Sequence, residues 1–478
     1  MGKQEAISYL NQFYEKNMWF KEEYKTKLIE LIEEKDLSLA SVKDIFSRNS
    51  AMLEREKSFF AGGLSRITMS NEYYRLKEVL YPVGRKTTLC LRTRYIKQRI
   101  SGDFKIVIFP YYDYDYKAME KTPLFTCEAT ASNNQILFDY VFDHEDRYLI
   151  CVLWHLDEKD YVFFKSCVYA LEDDLYGNQF FKADLHMHTT YSDGFEEPDL
   201  VAASARECGM DIIAVTDHND FYGSVAAKQY AREMGLDMTV ILGEEYAMTY
   251  SPMHILALGT EKPVSRDFIH GKLLASEKVQ KIINESPDLK CDPAAYACTQ
   301  VLLEEVDRQG GISILAHPYW KPIPRGGNRM DTPESLFKEL AKNRRFHGVE
   351  IVSGSRNGEC NVSNLQASLV REMLGNRFDF PIIGITDSHN YSTDDICGKH
   401  FTIIISENKE AETVLNALRA GRCVAVEMVG STPLSYGSHR LSKLADFLVK
   451  YYFPERDRKA KNEAQRVKEQ YLYNNDDV

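Results

Sequence analysis

Between residues 184 and 389, histidines and carboxylates recur in short stretches: Asp184-Leu-His186-Met-His188, Thr216-Asp217-His218-Asn219, Gly243-Glu244-Glu245, Ala316-His317-Pro318 and Thr386-Asp387-Ser388-His389. His254 stands by itself among them. In an extended segment residues i and i+2 share a side, so His186 with His188, and Asp387 with His389, each aim two ligands at a common point. Two such pairs point to more than one metal ion. Imidazole mixed with carboxylate suits Mn, Fe, Zn or Co, whereas calcium wants mainly oxygen and magnesium few histidines. No thiol accompanies them, which favours a catalytic over a structural site. A single histidine at a strand end is as often a satisfied structural residue as a ligand. Here six of the twelve in the chain fall at strand boundaries of one region beside acidic residues, and that grouping argues for ligation. Asp184 and Asp217 adjoin ligands but alternate to the other side, where each is expected to orient an imidazole from behind. His144, His155, His270, His347, His400 and His439 fall outside the pattern and read as structural or surface residues.

The elements that must carry these groups are short apolar runs followed by helical stretches, the pattern of a parallel α/β sheet or barrel. Seven strands are expected, at 182–187, 211–215, 238–243, 253–258, 311–315, 348–352 and 381–385. A seven-stranded barrel is the economical reading, and barrel enzymes carry their chemistry at the C-terminal ends of the strands. Five of the six histidines lie at such ends; His254 is the exception because it opens its strand. Residues 1–80 read as a helical segment, 81–177 as a β-sandwich-like domain from their alternation and β-branched runs, and 178–435 as the barrel. The tail, 436–478, reads as a charged helix that is solvated or an interaction arm rather than core.

Composition narrows the class. The 478 residues are 44% hydrophobic and 27% charged, which predicts two to four globular domains and rules out disorder or coiled coil as the main state. A net charge of −12 repels polyanions, so long duplex nucleic acid is not an expected partner. The ten cysteines form no CxxC pair, the first residues lack the apolar core of a signal peptide, and no apolar run approaches the ~20 residues of a membrane span. A cytoplasmic protein without membrane contact is the expectation. There is no GxSxG elbow, CxxxxxR loop or Walker lysine, so the expected nucleophile is a metal-activated water rather than a side chain.

At this point the residues carry a resemblance. The stretch from Asp184 to Gly194, Ile213-Ala-Val-Thr-Asp-His218, Gly243-Glu-Glu245, Ala316-His-Pro318 and Thr386-Asp-Ser-His389 resemble, in order and spacing, the motifs of the PHP family, named for polymerase and histidinol phosphatase. The match covers about residues 178 to 430, and a β-domain leading into the first motif is similar to the branch that includes carbaryl (carbamate) hydrolase. The resemblance implies a distorted (β/α)7 TIM-like barrel of the PHP fold, with two or three divalent ions (Mn, Zn or Fe) at its C-terminal mouth. It implies by position that His186, His188, Glu245 and Asp387 hold the first ion. Glu245 would bridge to a second held by His254 and His317, and Asp193, His218 and His389 would hold a third. Position 193 is His or Asp in the family. The family's Glu stands two residues after Gly243, which selects Glu245 with Glu244 as runner-up.

The activity so implied is a metal-dependent phosphoesterase acting on a small phosphomonoester, a nucleotide or a short oligonucleotide end. An anionic substrate in an acidic chain needs local cations, and Arg325 and Arg356 are the expected phosphate clamps in loops at the mouth. The alternative is a carbamate, ester or amide hydrolase, suggested by the β-domain branch and by Tyr319-Trp320 after His317. A metal-binding module without catalysis predicts gaps in the ligand set, and the nine positions show none.

Overall fold

The computed structural model describes residues 2–17, 19–64, 73–95, 99–111, 122–156, 159–247, 253–265, 272–318, 333–343, 346–354, 363–375 and 380–472. The chain divides into two compact units, Met1–Tyr176 and Gly177–Val478.

The first unit opens with four helices, α1 (Gly2–Lys16), α2 (Glu22–Lys35), α3 (Leu39–Arg48) and α4 (Ser50–Leu64). In α1 the buried residues Ala6, Leu10 and Tyr14 recur every four positions, one stripe of a 3.6-residue helix. Eight strands follow: β1 (Tyr74–Leu76), β2 (Leu80–Pro82), β3 (Lys86–Thr93), β4 (Asp103–Pro110), β5 (Phe125–Thr130), β6 (Gln135–Val141), β7 (Arg147–Leu156) and β8 (Lys159–Leu171). They form a three-stranded sheet in the order β1-β3-β6 and a five-stranded sheet in the order β2-β8-β7-β4-β5. Helices and sheets share one core, in which Leu10 and Ile32 belong to the same cluster as Leu91, Ile106 and Phe163. Arg99 ties them by donating to the carbonyls of Tyr14 and Asn17, both at 2.8 Å.

The second unit carries strands β9 (Gln179–Asp184), β10 (Ile212–Ile213), β11 (Thr239–Val240), β12 (Gly243–Ala247), β13 (His254–Leu258), β14 (Ile312–Leu315), β15 (Gly348–Val352), β16 (Ile382–Gly384), β17 (His400–Ser406), β18 (Cys423–Val429) and β19 (Thr432–Tyr436). Each of the seven expected stretches contains a strand, and they fall in two curled sheets ordered β11-β10-β9-β17-β18-β19 and β12-β13-β14-β15-β16. Pairing is parallel in β9-β10-β11 and β14-β15-β16 but antiparallel around β13 and from β17 onward. The sheets meet at the ends that carry the histidines: Asp387 N–H donates to His186 C=O at 3.0 Å, His188 N–H to Ser388 C=O at 2.9 Å and Glu245 N–H to Asp217 C=O at 3.2 Å. Inside, Phe181, Leu185, Ile212, Leu256, Ile314, Ile383 and Ile404 pack as one cluster.

Two expectations change here. The third expected strand is two separate strands in different sheets, so Glu245 lies in the middle of β12 rather than past a strand end. His254 ceases to be an exception, because β13 runs antiparallel to both neighbours and its first residue lies at the end where parallel strands finish.

The helices between strands include α5 (Pro198–Glu207), α6 (Tyr222–Glu233), α7 (Glu277–Glu285), α8 (Pro293–Arg308), α9 (Glu334–Asn343), α10 (Ser363–Leu374) and α11 (Ala411–Arg419). The tail forms α12 (His439–Phe447) and α13 (Phe453–Val467), and it is not a solvated arm. Helix α13 buries Phe453, Ala460, Ala464 and Val467. Its charges pair inward: Glu463 accepts from Arg206 of α5 at 3.0 Å, and Asp457 accepts from the buried Lys182 of β9 at 3.3 Å. The seam escapes a reading of hydropathy because two of its four residues are alanines. Among the described residues no helix is long and apolar enough to cross a membrane.

Arg206 also donates to Asp211 at 3.0 Å, so one buried guanidinium neutralises two carboxylates. Arg206→Met leaves those charges without their partner, and the expected cost is about 3–5 kcal/mol. A lower urea midpoint for the second unit checks this, and an unchanged midpoint would show that the Arg206 ion pairs contribute nothing to its stability.

Candidate metal centre

The nine expected ligands converge. Glu245 lies at the middle, fully buried on β12. Its Oε1 is 2.9 Å from His254 Nδ1 and 3.2 Å from His317 Nε2, while its Oε2 is 3.0 Å from His218 Nδ1, 3.2 Å from His186 Nε2 and 3.4 Å from His188 Nε2. Asp387 Oδ1 stands 3.1 Å from His188 Nε2 and 3.3 Å from His186 Nε2. A third group gathers on Asp193, whose Oδ2 is 3.2 Å from His389 Nε2 and whose Oδ1 is 3.9 Å from His218 Nε2 and 3.8 Å from His188 Nδ1. His188 and His218 therefore stand between groups rather than in one each. Glu244, the runner-up, points the other way and accepts from Ser265 and from Val264 N–H.

This donor set fits metal ions. Ligand atoms held at about 2.0–2.2 Å by one ion lie roughly 3.0–3.5 Å from each other, the spacing seen around Glu245 and Asp387. Despite those neighbours, Glu245 Oε2 and His218 Nδ1 are buried and take no hydrogen bond of acceptable geometry. A buried carboxylate oxygen facing nitrogen lone pairs is costly unless a cation lies between them. The ionisation pattern agrees. Burial opposes charge throughout, yet His186 is held well above the ordinary imidazole range by Glu245, Asp387 and Glu350. In the reverse sense, burial is outweighed by His186 and its neighbours to hold Glu245 and Asp387 well below the carboxylate range. A metal ion bound by the same acids would displace the His186 proton from the cluster.

Glu350 escaped the sequence reading. It is fully buried on β15, accepts from His186 Nδ1 at 2.7 Å and from His317 N–H at 2.7 Å, and so fixes one ring and the backbone of another. A carboxylate only accepts, so His186 carries its proton on Nδ1 and presents Nε2 to the cluster. The available signal was a lone acid inside the apolar run Gly348-Val-Glu-Ile-Val352, since a buried acid requires a partner.

Asp184 and Asp217 hold backbone, not imidazole rings. Asp184 accepts from Thr386 Oγ1 at 2.7 Å, and burial pushes its carboxyl up to about 7. Asp217 accepts from Thr189 N–H and Oγ1, both at 2.7 Å, and from Ser192 Oγ at 2.8 Å, so it anchors the turn that presents Asp193. A Cβ at Gly223 would strike that carboxylate, which explains glycine there. Both acids alternate away from the cluster as expected, but the neighbouring strand end, and no imidazole, is what each holds on that side. Asp387 and His317 take positive φ, 51° and 28°, a strained backbone that turns each group inward as its strand ends. His347 lies apart, bonded to Ser313, and His400 is buried in β17, where burial lowers it to about 4. Arg325, Arg356, Tyr319 and Trp320 lie outside the described residues, as does His270.

Comparison with known proteins agrees with this site. The family model of the PHP domain matches residues 184–359, which takes in every motif except Thr386-Asp-Ser-His389. An uncharacterized protein of Methanocaldococcus jannaschii is 29% identical over 149 residues, 29% of this chain and 68% of that protein. The 5'-3' exoribonuclease Rnm of Salmonella typhimurium is 32% identical over 111 residues, 20% of this chain and only 38% of that relative's length. A crystal structure of a two-domain protein from Bacteroides vulgatus, described as containing a predicted PHP-like metal-dependent phosphoesterase, has a TM-score of 0.40 at 18% identity, covering 57% of this chain and 71% of that one. With the ordered motifs brought to one point and four of them inside the match, residues 184–359 are identified as a PHP domain.

Proposed function

We propose that this protein is a metal-dependent phosphoesterase that hydrolyses a small phosphomonoester, a nucleotide or a short oligonucleotide end. The observation that carries the reading is the buried, unbonded Oε2 of Glu245 among three imidazole nitrogens, which favours a divalent cation between them. His186, His188, Asp387 and Glu245 would hold one ion, Glu245, His254 and His317 a second, and Asp193, His218 and His389 a third. Ions of the Mn, Zn or Fe class would supply Lewis acidity and lower the pKa of water to near ~7.

The chain's own residues do the rest. Glu350 holds His186 in one tautomer, and Thr386 and Asp184 hold the strand end that carries Asp387. His186, His254 and His317 are buried, whereas the side chains of His218 and His389 are 26% and 21% exposed. Substrate is therefore expected to approach from the Asp193 side, where Asp193, His218 and His389 would hold an ion within reach of the phosphoryl group. Ser192 Oγ donates to Asp217 as part of the turn that presents Asp193, and the expected attacking group is a metal-activated water. The same reading takes the two sheets as halves of one distorted (β/α)7 barrel, since hydrogen bonds join them at the mouth. Arg325 and Arg356 remain the candidate phosphate clamps.

Metal analysis of the purified protein is expected to find two or three ions per chain. His188→Ala and Asp387→Ala are expected to cut Mn²⁺-supported hydrolysis of p-nitrophenyl phosphate by more than about 100-fold, beyond the 10–100-fold loss that removing an outer partner brings. Hydrolysis of p-nitrophenyl acetate alone would favour the carbamate and ester reading, and absence of bound metal would overturn both. Glu350→Gln, which keeps shape and loses charge, is expected to weaken metal binding by about 10–100-fold in a titration; equal affinity would remove Glu350 from its role.

A further inference from the structure

The two turns that carry the open half of the cluster are fastened to each other. Asp193 lies in the turn 189–196 and His389 in the turn 388–394, and each turn closes on itself first. Thr190 N–H donates to the carbonyl of Glu196 and Gly194 N–H to that of Thr189, both at 3.0 Å. In the second turn Ser388 Oγ donates to Asp394 and accepts from Asn390 N–H at 3.2 Å. Two links then cross between them. Phe195 N–H donates to the carbonyl of His389 at 2.8 Å, and the carboxylate of Glu196 accepts from Ser392 N–H at 3.1 Å and from Ser392 Oγ. Glu196 is only 7% exposed although Phe195 and Glu197 on either side of it face solvent. Burying a carboxylate is costly unless its oxygens are bonded, and bonds to a charged acceptor are the stronger kind. The residue that supplies them is 196 positions away in the chain and is not a ligand of the cluster.

We propose that Glu196 is a positioning residue for the ion that Asp193, His218 and His389 would hold: by fastening one turn to the other it sets the span from Asp193 to His389, and with it the affinity for that ion and for no other. The inference rests on the metal-centre reading and not on the chemistry of the substrate. Asp193 Oδ2 and His389 Nε2 stand 3.2 Å apart, but their side chains are 57% and 21% exposed, so surrounding packing does not fix that distance. The Phe195 link alone joins the turns at one point, about which they can rotate. The Glu196 link grips the second turn three residues further on and removes that freedom. The buried ligands have anchors of their own: Asp387 N–H donates to His186 C=O at 3.0 Å, and Glu350 holds the His186 ring and the His317 backbone. Loss of the Glu196 carboxylate therefore loosens the open half of the cluster and leaves the closed half in place.

The test is a Mn²⁺ titration of the full chain, followed by the electron paramagnetic resonance of the free ion, which counts the sites and orders their affinities without any substrate. Asp193→Ala is expected to abolish the weakest class of site and so identify it. Glu196→Ala is expected to weaken that class by about 10–100-fold and leave the tighter ions unchanged, with Ser392→Ala, which keeps the N–H and loses the hydroxyl, in between. Glu196→Gln keeps an acceptor without the charge and is expected to recover most of the affinity, which a long-range effect of the carboxylate charge would not allow. An unchanged weakest class in Glu196→Ala, an equal loss at every site, a Gln variant no better than Ala, or a wild-type count that Asp193→Ala leaves unaltered overturns the proposal. If Glu196→Ala does not fold, Ser392→Ala decides: a loss confined to the weakest class supports the link, and no loss or a shared one removes it. Three bound ions without phosphatase activity would remove the phosphoesterase reading and leave this inference standing, whereas phosphatase activity with two ions would do the reverse.

Discussion

A carboxylate held away from water among imidazoles is the constraint around which the second unit is organised. Glu245 has no solvent access, and five histidine rings from four separate segments stand within 3.4 Å of its two oxygens. Burying an ionised carboxylate is affordable only where positive charge or donors surround it. The fold must therefore bring residues up to two hundred positions apart to one point, and much of its irregularity serves that end. The antiparallel β13 delivers His254, the bonds between the segments that follow β9 and β16 set His186 and His188 against Asp387, and positive φ at His317 and Asp387 turns those groups inward.

Around that centre lie buried acids that are not themselves expected ligands but hold the groups that are. Asp184, Asp217 and Glu350 each hold a backbone N–H or a hydroxyl near a ligand, and Glu350 holds a ring as well. Their role is precision, because a ligand displaced by even a fraction of an ångström weakens every other ligand of the same ion. The tail contributes from behind: α13 reaches Lys182 of β9, two residues before Asp184, so the strand that carries the first ligand pair is clamped at both ends.

The open edge at Asp193, His218 and His389 contrasts with this. Those side chains keep part of their surface in water. A closed half that fixes charge and an open half that meets ligand is the division of labour expected of a hydrolytic metal site.

The spacing of His186 with His188, and of Asp387 with His389, was legible in the sequence because side-chain alternation along a strand is a local property. So were the seven apolar runs, since these depend on residue type and short separations; the choice of Glu245 over Glu244 came from the family resemblance and not from any local pattern. The direction of β13 was not legible, because strand polarity within a sheet is set by which neighbour supplies the hydrogen bonds. Glu350 stayed hidden for a related reason: one acid in an apolar strand acquires meaning only when His186, 164 residues away, is brought to it. The partners of Asp184 and Asp217, and the packing of α13 on α5, were likewise decided by tertiary contact. Sequence determined which groups can bind metal and on which side of a strand each lies; only the folded chain decided which of them meet, because that depends on long-range pairing that no local pattern encodes.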